Sequence, residues 1–127
     1  MSDSLHRLYQ QVIAAKDADP SESRTARLLR AGRAKAAKKL AEEAVEVVID
    51  TMNGDRDAVV RESADLLYNL TVLWVASGVN PTEVWEEMAR RERLFGIAEK
   101  VPKKLIESVA SRRKVVVLQS RRSPKRR

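Results

Sequence analysis

The stretch KLAEEAVEVVIDTMNGDRDAVVRESAD, residues 39–65, decides the fold. It contains two runs of helix-forming residues with Asn-Gly-Asp at 53–55 between them. Asn-Gly can end a helix in the left-handed backbone region, and Asp55 can cap the helix that follows. The sequence therefore predicts an antiparallel pair of helices, about 33–52 and 55–77, at the centre of an all-α domain. Shorter helices are predicted at about 5–16, 24–30 and 81–94.

Each of the two central runs carries a pair of acidic residues three positions apart. The pairs are Glu43 with Glu46 and Glu62 with Asp65. Side chains at this spacing project from the same face of a helix, so a hairpin can bring all of them together. Such a cluster is unfavourable in a low dielectric unless protons or a cation neutralise it, and hard divalent ions prefer oxygen ligands. The four acids are therefore candidate ligands of a divalent cation.

The alternative interpretation is that both pairs belong to solvated helix faces, as most charged helical residues do. Helical phase argues against it, because apolar residues flank the acids on both sides of each stripe and leave little room for a wide polar face. Asp50 continues the first acidic stripe and Asn69 the second, while Lys39 is the one basic residue on either. The flanking apolar residues are Leu40, Ala44, Val47, Val48, Ile49, Leu66, Leu70 and Leu73.

The net charge of +7 is distributed unevenly along the 127 residues. Residues 100–127 hold 11 Lys and Arg against one acid, whereas residues 1–99 have a balance of −3. We therefore predict an all-α domain over 1–99 and a basic, partly disordered extension over 100–127. Contact with nucleic acid or another polyanion is expected only through this extension.

The chain has no cysteine, which excludes disulfides and thiolate metal sites. No apolar run has the length of a signal peptide or a membrane span, so we expect a cytoplasmic protein with no membrane partner. The segment 55–77 is apolar on more than one face, and a chain of this size has few helices to cover it. We therefore expect a homodimer, or a higher homo-oligomer, in which a second copy completes the helical bundle.

Several segments resemble one known family. SRTARLL at 23–29, KKLAEEAVEVVI at 38–49, NGDRDAVVRESADLLYNLTVL at 53–73 and SGVNPTEVWEEMARR at 77–91 are similar to the phosphoribosyl-ATP pyrophosphatases of histidine biosynthesis, which belong to the all-α MazG-like superfamily. The resemblance covers most of residues 5–94, and its mark is Glu-x-x-Glu followed by Glu-x-x-Asp. It implies a MazG-like helical bundle completed by dimerisation.

The resemblance also implies a reaction. Mg²⁺, for which Mn²⁺ can substitute, is held by Glu43, Glu46, Glu62 and Asp65. A nucleotide substrate, expected to be phosphoribosyl-ATP, is hydrolysed between its α and β phosphates to phosphoribosyl-AMP and pyrophosphate. The same four acids and the neighbouring Glu42 make up the predicted catalytic set.

Residues around the acids allow two interpretations each. Glu42 lies about 100° around the helix from Glu43; it either is a plain solvated residue or acts on the attacking water or on a second ion. Lys39 either offsets the acids or contacts a phosphate oxygen. Arg24 and Arg27, with Arg30, form either a solvated face or a phosphate-binding one. Lys39, Arg24 and Arg27 are therefore the predicted substrate-binding residues.

Three positions depart from the pattern of the histidine enzymes. Arg24 stands where an aromatic residue is usual, Ala41 where glycine is usual, and Asn69 where histidine is usual. The acidic motif is intact, so these departures concern the substrate rather than the cation site. Two alternatives stay open: a MazG-like nucleoside triphosphate pyrophosphohydrolase acting on another nucleotide, and a non-catalytic helical protein that binds polyanions.

Overall fold

The structure is a computed structural model, and residues 2–96 are the part of the chain that it describes. The predicted basic extension over 100–127 lies outside these residues. Within them the chain forms five α-helices and one 3₁₀ turn with no β-strand, which confirms the all-α prediction. The elements are α1 (Ser2–Ala14), the 3₁₀ turn (Ala15–Asp17), α2 (Arg24–Ala31), α3 (Arg33–Met52), α4 (Arg56–Ser77) and α5 (Pro81–Phe95). No helix in the described range is both long and apolar enough to cross a membrane.

Helices α3 and α4 form the predicted antiparallel hairpin. The turn between them has Gly54 at a φ of +70°, in the left-handed region that glycine adopts without steric penalty. The carboxylate Oδ1 of Asp55 accepts a hydrogen bond from the backbone N–H of Ala58 at 3.1 Å and so caps α4. Both features are those that the Asn-Gly-Asp sequence predicts.

The hydrophobic core lies towards the end of the hairpin opposite this turn. Residues up to Val84 form one compact unit, in which α1 packs on α4 and α2 packs on both α3 and α4. The buried apolar residues of this core are Val12, Leu28, Ala36, Val72 and Val75. Val12 comes from α1 and Leu28 from α2, while the hairpin contributes Ala36 near the start of α3 and Val72 and Val75 near the end of α4. The half of the hairpin nearer the turn therefore adds no residue to this cluster.

The half nearer the turn carries exposed apolar side chains. Val48 is 60% exposed and Met52 is 81% exposed on α3, and Val60 is 57% exposed on α4. Ile49, which the sequence places beside the acidic stripe, is also exposed. Within residues 2–96, the apolar residues beside the acids therefore do not enclose them on every side, because the described helices pack against only part of the surface of α3.

The residues from Trp85 onward belong to a second unit. In this part of α5, Glu87 accepts hydrogen bonds from the guanidinium groups of Arg90 and Arg91, with N···O distances of 2.7–2.9 Å. These bonds favour the ionised carboxylate and lower the pKa of Glu87 to about 2. Ion pairs between side chains three and four residues apart stabilise an exposed helix.

Candidate metal centre on the helical hairpin

Two groups of acidic side chains lie between α3 and α4. In the first group, Glu43, Glu62 and Asp65 each place one carboxylate oxygen within 4.8 Å of the other two. In the second group, Glu46, Asp50 and Glu62 do the same. Glu62 belongs to both groups and lies at the centre of the cluster. The four acids that the sequence predicts as cation ligands are thus close together, and Asp50 joins them.

Helical spacing explains this arrangement. Glu43, Glu46 and Asp50 follow one another at intervals of three and four residues, so they form one stripe along α3. Glu62 and Asp65 form the matching stripe on α4. Because the hairpin is antiparallel, the end of one stripe meets the beginning of the other.

The cluster is accessible from solvent. Glu43, Asp50 and Glu62 are half-buried, whereas Glu46 and Asp65 are exposed. The carboxylates of Glu46 and Asp65 are thus open to solvent. A ligand can therefore reach the acids without a rearrangement of the hairpin.

Among residues 2–96, no basic side chain forms an ion pair that offsets the negative charge of the cluster. Partial burial raises the pKa of the Glu62 carboxyl, and the charges and hydrogen bonds of Glu43 and Asp65 raise it further. A set of oxygen ligands with uncompensated charge fits a hard divalent cation such as Mg²⁺.

Lys39 and Glu42 lie beside the cluster and contact each other. The Nζ atom of Lys39, which is half-buried, is 3.6 Å from Oε1 of the exposed Glu42, and a pair open to solvent in this way contributes little to stability. Glu42 belongs to neither acidic group, but it lines an open depression of about 370 Å³ together with Lys38, Val45 and Glu46. Glu42 and Lys39 therefore lie at the edge of the cluster.

The arginines of α2 differ in their contacts. The guanidinium carbon of Arg24 lies 5.5 Å from the centre of the Tyr68 ring on α4. The Nη1 atom of Arg27 instead donates to the backbone carbonyl of Pro20 at 2.7 Å, in the loop before α2. Arg30 is exposed. The structure thus brings Arg24, but not Arg27, to the helix that carries Glu62 and Asp65.

Two residues near the cluster are absent from the predicted site. Asp50 has a signal in the sequence, because it follows Glu46 by four residues and so continues the same stripe. Tyr68 follows Asp65 by three residues and lies one turn further along α4. Its contact with α2 joins segments that are far apart in the chain, and no local pattern reveals that contact.

Comparison with known proteins agrees with the resemblance. A family model described as phosphoribosyl-ATP pyrophosphohydrolase matches residues 5–92. Phosphoribosyl-ATP pyrophosphatase 2 of Bradyrhizobium diazoefficiens is 62% identical over an alignment of 133 positions, which covers 99% of each chain. The protein of the same name from Rhodopseudomonas palustris is 67% identical over 111 residues, 87% of this chain and 85% of the relative. Phosphoribosyl-ATP pyrophosphatase of Azospirillum brasilense is 54% identical over 100 residues, 79% and 90% of the two chains. This chain therefore belongs to the phosphoribosyl-ATP pyrophosphohydrolase family.

Proposed function

We propose that this protein hydrolyses phosphoribosyl-ATP to phosphoribosyl-AMP and pyrophosphate, a step of histidine biosynthesis. Its family membership supports this, as do relatives named phosphoribosyl-ATP pyrophosphatase that match almost the whole chain. The observation that carries the mechanism is the approach of the Glu43, Glu62 and Asp65 carboxylates to within 4.8 Å of one another across the hairpin.

The proposed ligands of Mg²⁺ are Glu43, Glu46, Glu62 and Asp65. Carboxylate oxygens suit both Mg²⁺ and Mn²⁺, so Mn²⁺ is expected to substitute. When bound, the cation supplies positive charge to the phosphate oxygens and acidifies a water molecule. Without a cation the acids repel a polyphosphate, so nucleotide binding is expected to depend on the cation.

The chain's other residues act on the water and on the substrate. Glu42, which lines the same depression as Glu46, orients the attacking water and accepts its proton. The water oxygen forms a bond to the α-phosphorus while the bond between that phosphorus and the bridging oxygen of the α-β anhydride breaks. Pyrophosphate leaves with the bridging oxygen. Lys39 and Arg24 bind phosphate oxygens of the substrate. Arg27 is the third proposed substrate-binding residue, and it would have to release the Pro20 carbonyl to join them.

The proposed assembly is a MazG-like bundle that a second copy of the chain completes. Exposed apolar residues near the turn of the hairpin support it, because a large apolar patch on a free surface is unfavourable in water. These residues include Val45, Val48, Ile49, Met52 and Val60, which are 47–81% exposed. In this proposal the catalytic domain spans residues 1–99, and residues 100–127 are a basic extension.

The test is a comparison of substrates. Initial rates of pyrophosphate release are measured with Mg²⁺ for phosphoribosyl-ATP and for the common ribo- and deoxyribonucleoside triphosphates. We expect the highest kcat/KM for phosphoribosyl-ATP. A higher value for another nucleotide would instead support the nucleoside triphosphate pyrophosphohydrolase, and a protein inert towards every nucleotide would support the polyanion-binding alternative.

The cation and the acids are tested in the same assay. Chelation of divalent ions, or Glu46→Gln, is expected to abolish pyrophosphate release. Glu22→Gln is the matched control, because Glu22 is an exposed acid outside both acidic groups. Undiminished turnover after chelation and in Glu46→Gln would refute the mechanism.

A further inference from the structure

Helices α2 and α4 are joined by a hydrogen bond between side-chain hydroxyls. The Oγ1 atom of Thr25 lies 2.6 Å from the Oη atom of Tyr68, at a partly buried position. Apart from the contacts among the carboxyl groups of the acidic cluster, the other hydrogen bonds between side chains in residues 2–96 join residues of the same helix. The bond between Thr25 and Tyr68 therefore restrains how α2 sits against α4.

The same tyrosine also holds the residue before Thr25. The guanidinium of Arg24 lies over the Tyr68 ring, 5.5 Å from its centre, in a cation-π contact. Helix α2 has only eight residues, too few to be stable in water without tertiary contacts. Its position depends on the packing of Leu28, which is buried, and on these contacts of Tyr68. Tyr68 thus fixes two successive residues of α2, one through its hydroxyl and one through its ring.

This arrangement holds a cation against Tyr68, one helical turn along α4 from Asp65. Tyr68 follows Asp65 by three residues on α4, a rise of about 4.5 Å along the helix axis. No carboxylate of the described residues forms an ion pair with Arg24. A cation-π contact uses the charge of the guanidinium rather than its N–H donors, so those donors can still form paired hydrogen bonds with a phosphate group.

We infer that Tyr68 is a positioning residue, which, through its contacts with Thr25 and Arg24, holds the Arg24 guanidinium where it binds a phosphate group of the substrate. This inference rests on the proposed function, since it takes the substrate to be a nucleotide whose phosphates lie at the acidic cluster. It adds a role for two residues, Tyr68 and Thr25, that do not touch the reacting atoms.

The first test removes the hydroxyl-hydroxyl bond from either side. Tyr68→Phe keeps the ring, and Thr25→Val keeps the volume of the side chain. Each is expected to raise KM for phosphoribosyl-ATP roughly tenfold, the factor that corresponds to about one net hydrogen bond, with little change in kcat. The double variant should be no worse than either single one, and Thr25→Ser, which keeps a hydroxyl, should restore KM.

The second test asks whether Tyr68 acts through Arg24. Arg24→Met is expected to raise KM, and adding Tyr68→Phe to it should raise KM no further. A purely structural role of Tyr68 would leave its effect undiminished in the Arg24→Met background. Thr71→Val is the matched control, because the buried Thr71 hydroxyl donates to the Leu67 carbonyl of its own helix at 2.8 Å and should not affect KM.

Equilibrium binding of the two products, with Mg²⁺, separates this inference from the proposed function. Every phosphate of the substrate ends in phosphoribosyl-AMP or in pyrophosphate, so Tyr68→Phe should weaken the binding of one of them, and that product carries the phosphate bound by Arg24. A wild type that does not turn over phosphoribosyl-ATP refutes the proposed function. Equal product affinities in wild type and Tyr68→Phe overturn the inference, as does a rise in KM that persists in the Arg24→Met background.

Discussion

At the scale of a single residue, the position of Glu62 suits a cation ligand but is unfavourable for its own negative charge when no cation is bound. It lies between Glu43 and Asp65 on one side and Glu46 and Asp50 on the other, which suits a cation ligand. In the absence of a cation the same position is unfavourable for its negative charge. The raised pKa of its carboxyl, caused first by partial burial and then by its acidic neighbours, expresses this cost.

The sign of this effect gives a prediction for Glu62→Gln. Because the folded-state pKa lies above the ordinary value of 4.5, the stability linked to Glu62 is complete below pH 4.5 and is lost as the pH rises through the folded-state pKa. The amide cannot ionise, so Glu62→Gln should melt at a higher temperature than wild type in chelator at pH 7. The two Tm values should converge below pH 4.5.

In Mg²⁺ the order of the two Tm values should reverse, with wild type melting at the higher temperature. Activity and stability should then change in opposite directions in Glu62→Gln relative to wild type in chelator. Cation binding stabilises the folded wild type, whereas Glu62→Gln has lost a ligand and gains less. Hydrolysis by Glu62→Gln should fall by at least about a hundredfold, as expected when one stabilising group in an active site is removed. Glu22→Gln, an exposed control, should change neither Tm nor rate. A lower Tm of Glu62→Gln in chelator would contradict the interpretation.

Individual site residues were predictable from the sequence to different degrees. The proximity of Glu43 and Glu62 was predictable because helical spacing and the Asn-Gly turn are both local signals. The contact of Arg24 with Tyr68 was not, because the direction of a long side chain depends on a tertiary partner. Arg27 has the same chemistry three residues later, yet it contacts Pro20 in a loop. Spacing alone could not distinguish these two arginines.

At the scale of helices, local capping signals explain which boundaries were predictable. The predicted helix over 33–52 is observed as Arg33–Met52, and the one over 55–77 as Arg56–Ser77. Glycine or a capping side chain marks most of these ends. The first helix was predicted to reach residue 16, but it ends at Ala14 and continues as a 3₁₀ turn. No glycine or proline marks that end, and the last turn of a helix often tightens in this way.

The cap of α4 gives a prediction at this scale. Asp55→Ala removes the carboxylate that accepts from the backbone N–H of Ala58, so it should lower the free energy of unfolding by about 1 kcal/mol. Asp55→Asn keeps an acceptor and should cost much less. Asp57→Ala is the matched control, because Asp57 is exposed in the first turn and its ion pair is with the neighbouring Arg56. Urea denaturation measures all three, and equal losses in Asp55→Ala and Asp57→Ala would show that the cap is unimportant.

At the scale of the whole molecule, the uncovered apolar residues near the hairpin turn predict self-association. Val48 and Met52 lie four residues apart on α3 and are 60% and 81% exposed. A second copy that covers them removes apolar surface from water, which favours association. Val48→Glu should therefore shift a dimer towards monomer in sedimentation equilibrium, whereas Gln10→Glu, at an exposed position on α1, should not. A monomeric wild type at micromolar concentration would contradict the proposed assembly.

The uneven charge of the chain leads to the last prediction. Residues 1–99 carry a balance of −3, and residues 100–127 carry one acid against 11 Lys and Arg, so a positive surface is expected only from the extension. Deleting residues 112–127 should leave kcat and KM for phosphoribosyl-ATP unchanged, because the acidic cluster and Arg24 lie well before this segment. The same deletion should weaken binding to single-stranded RNA and reduce its dependence on salt, since fewer phosphate contacts release fewer counterions. Loss of hydrolysis in the shortened protein would instead mean that the basic extension takes part in substrate binding, and the division into a catalytic domain and an accessory extension would then be wrong.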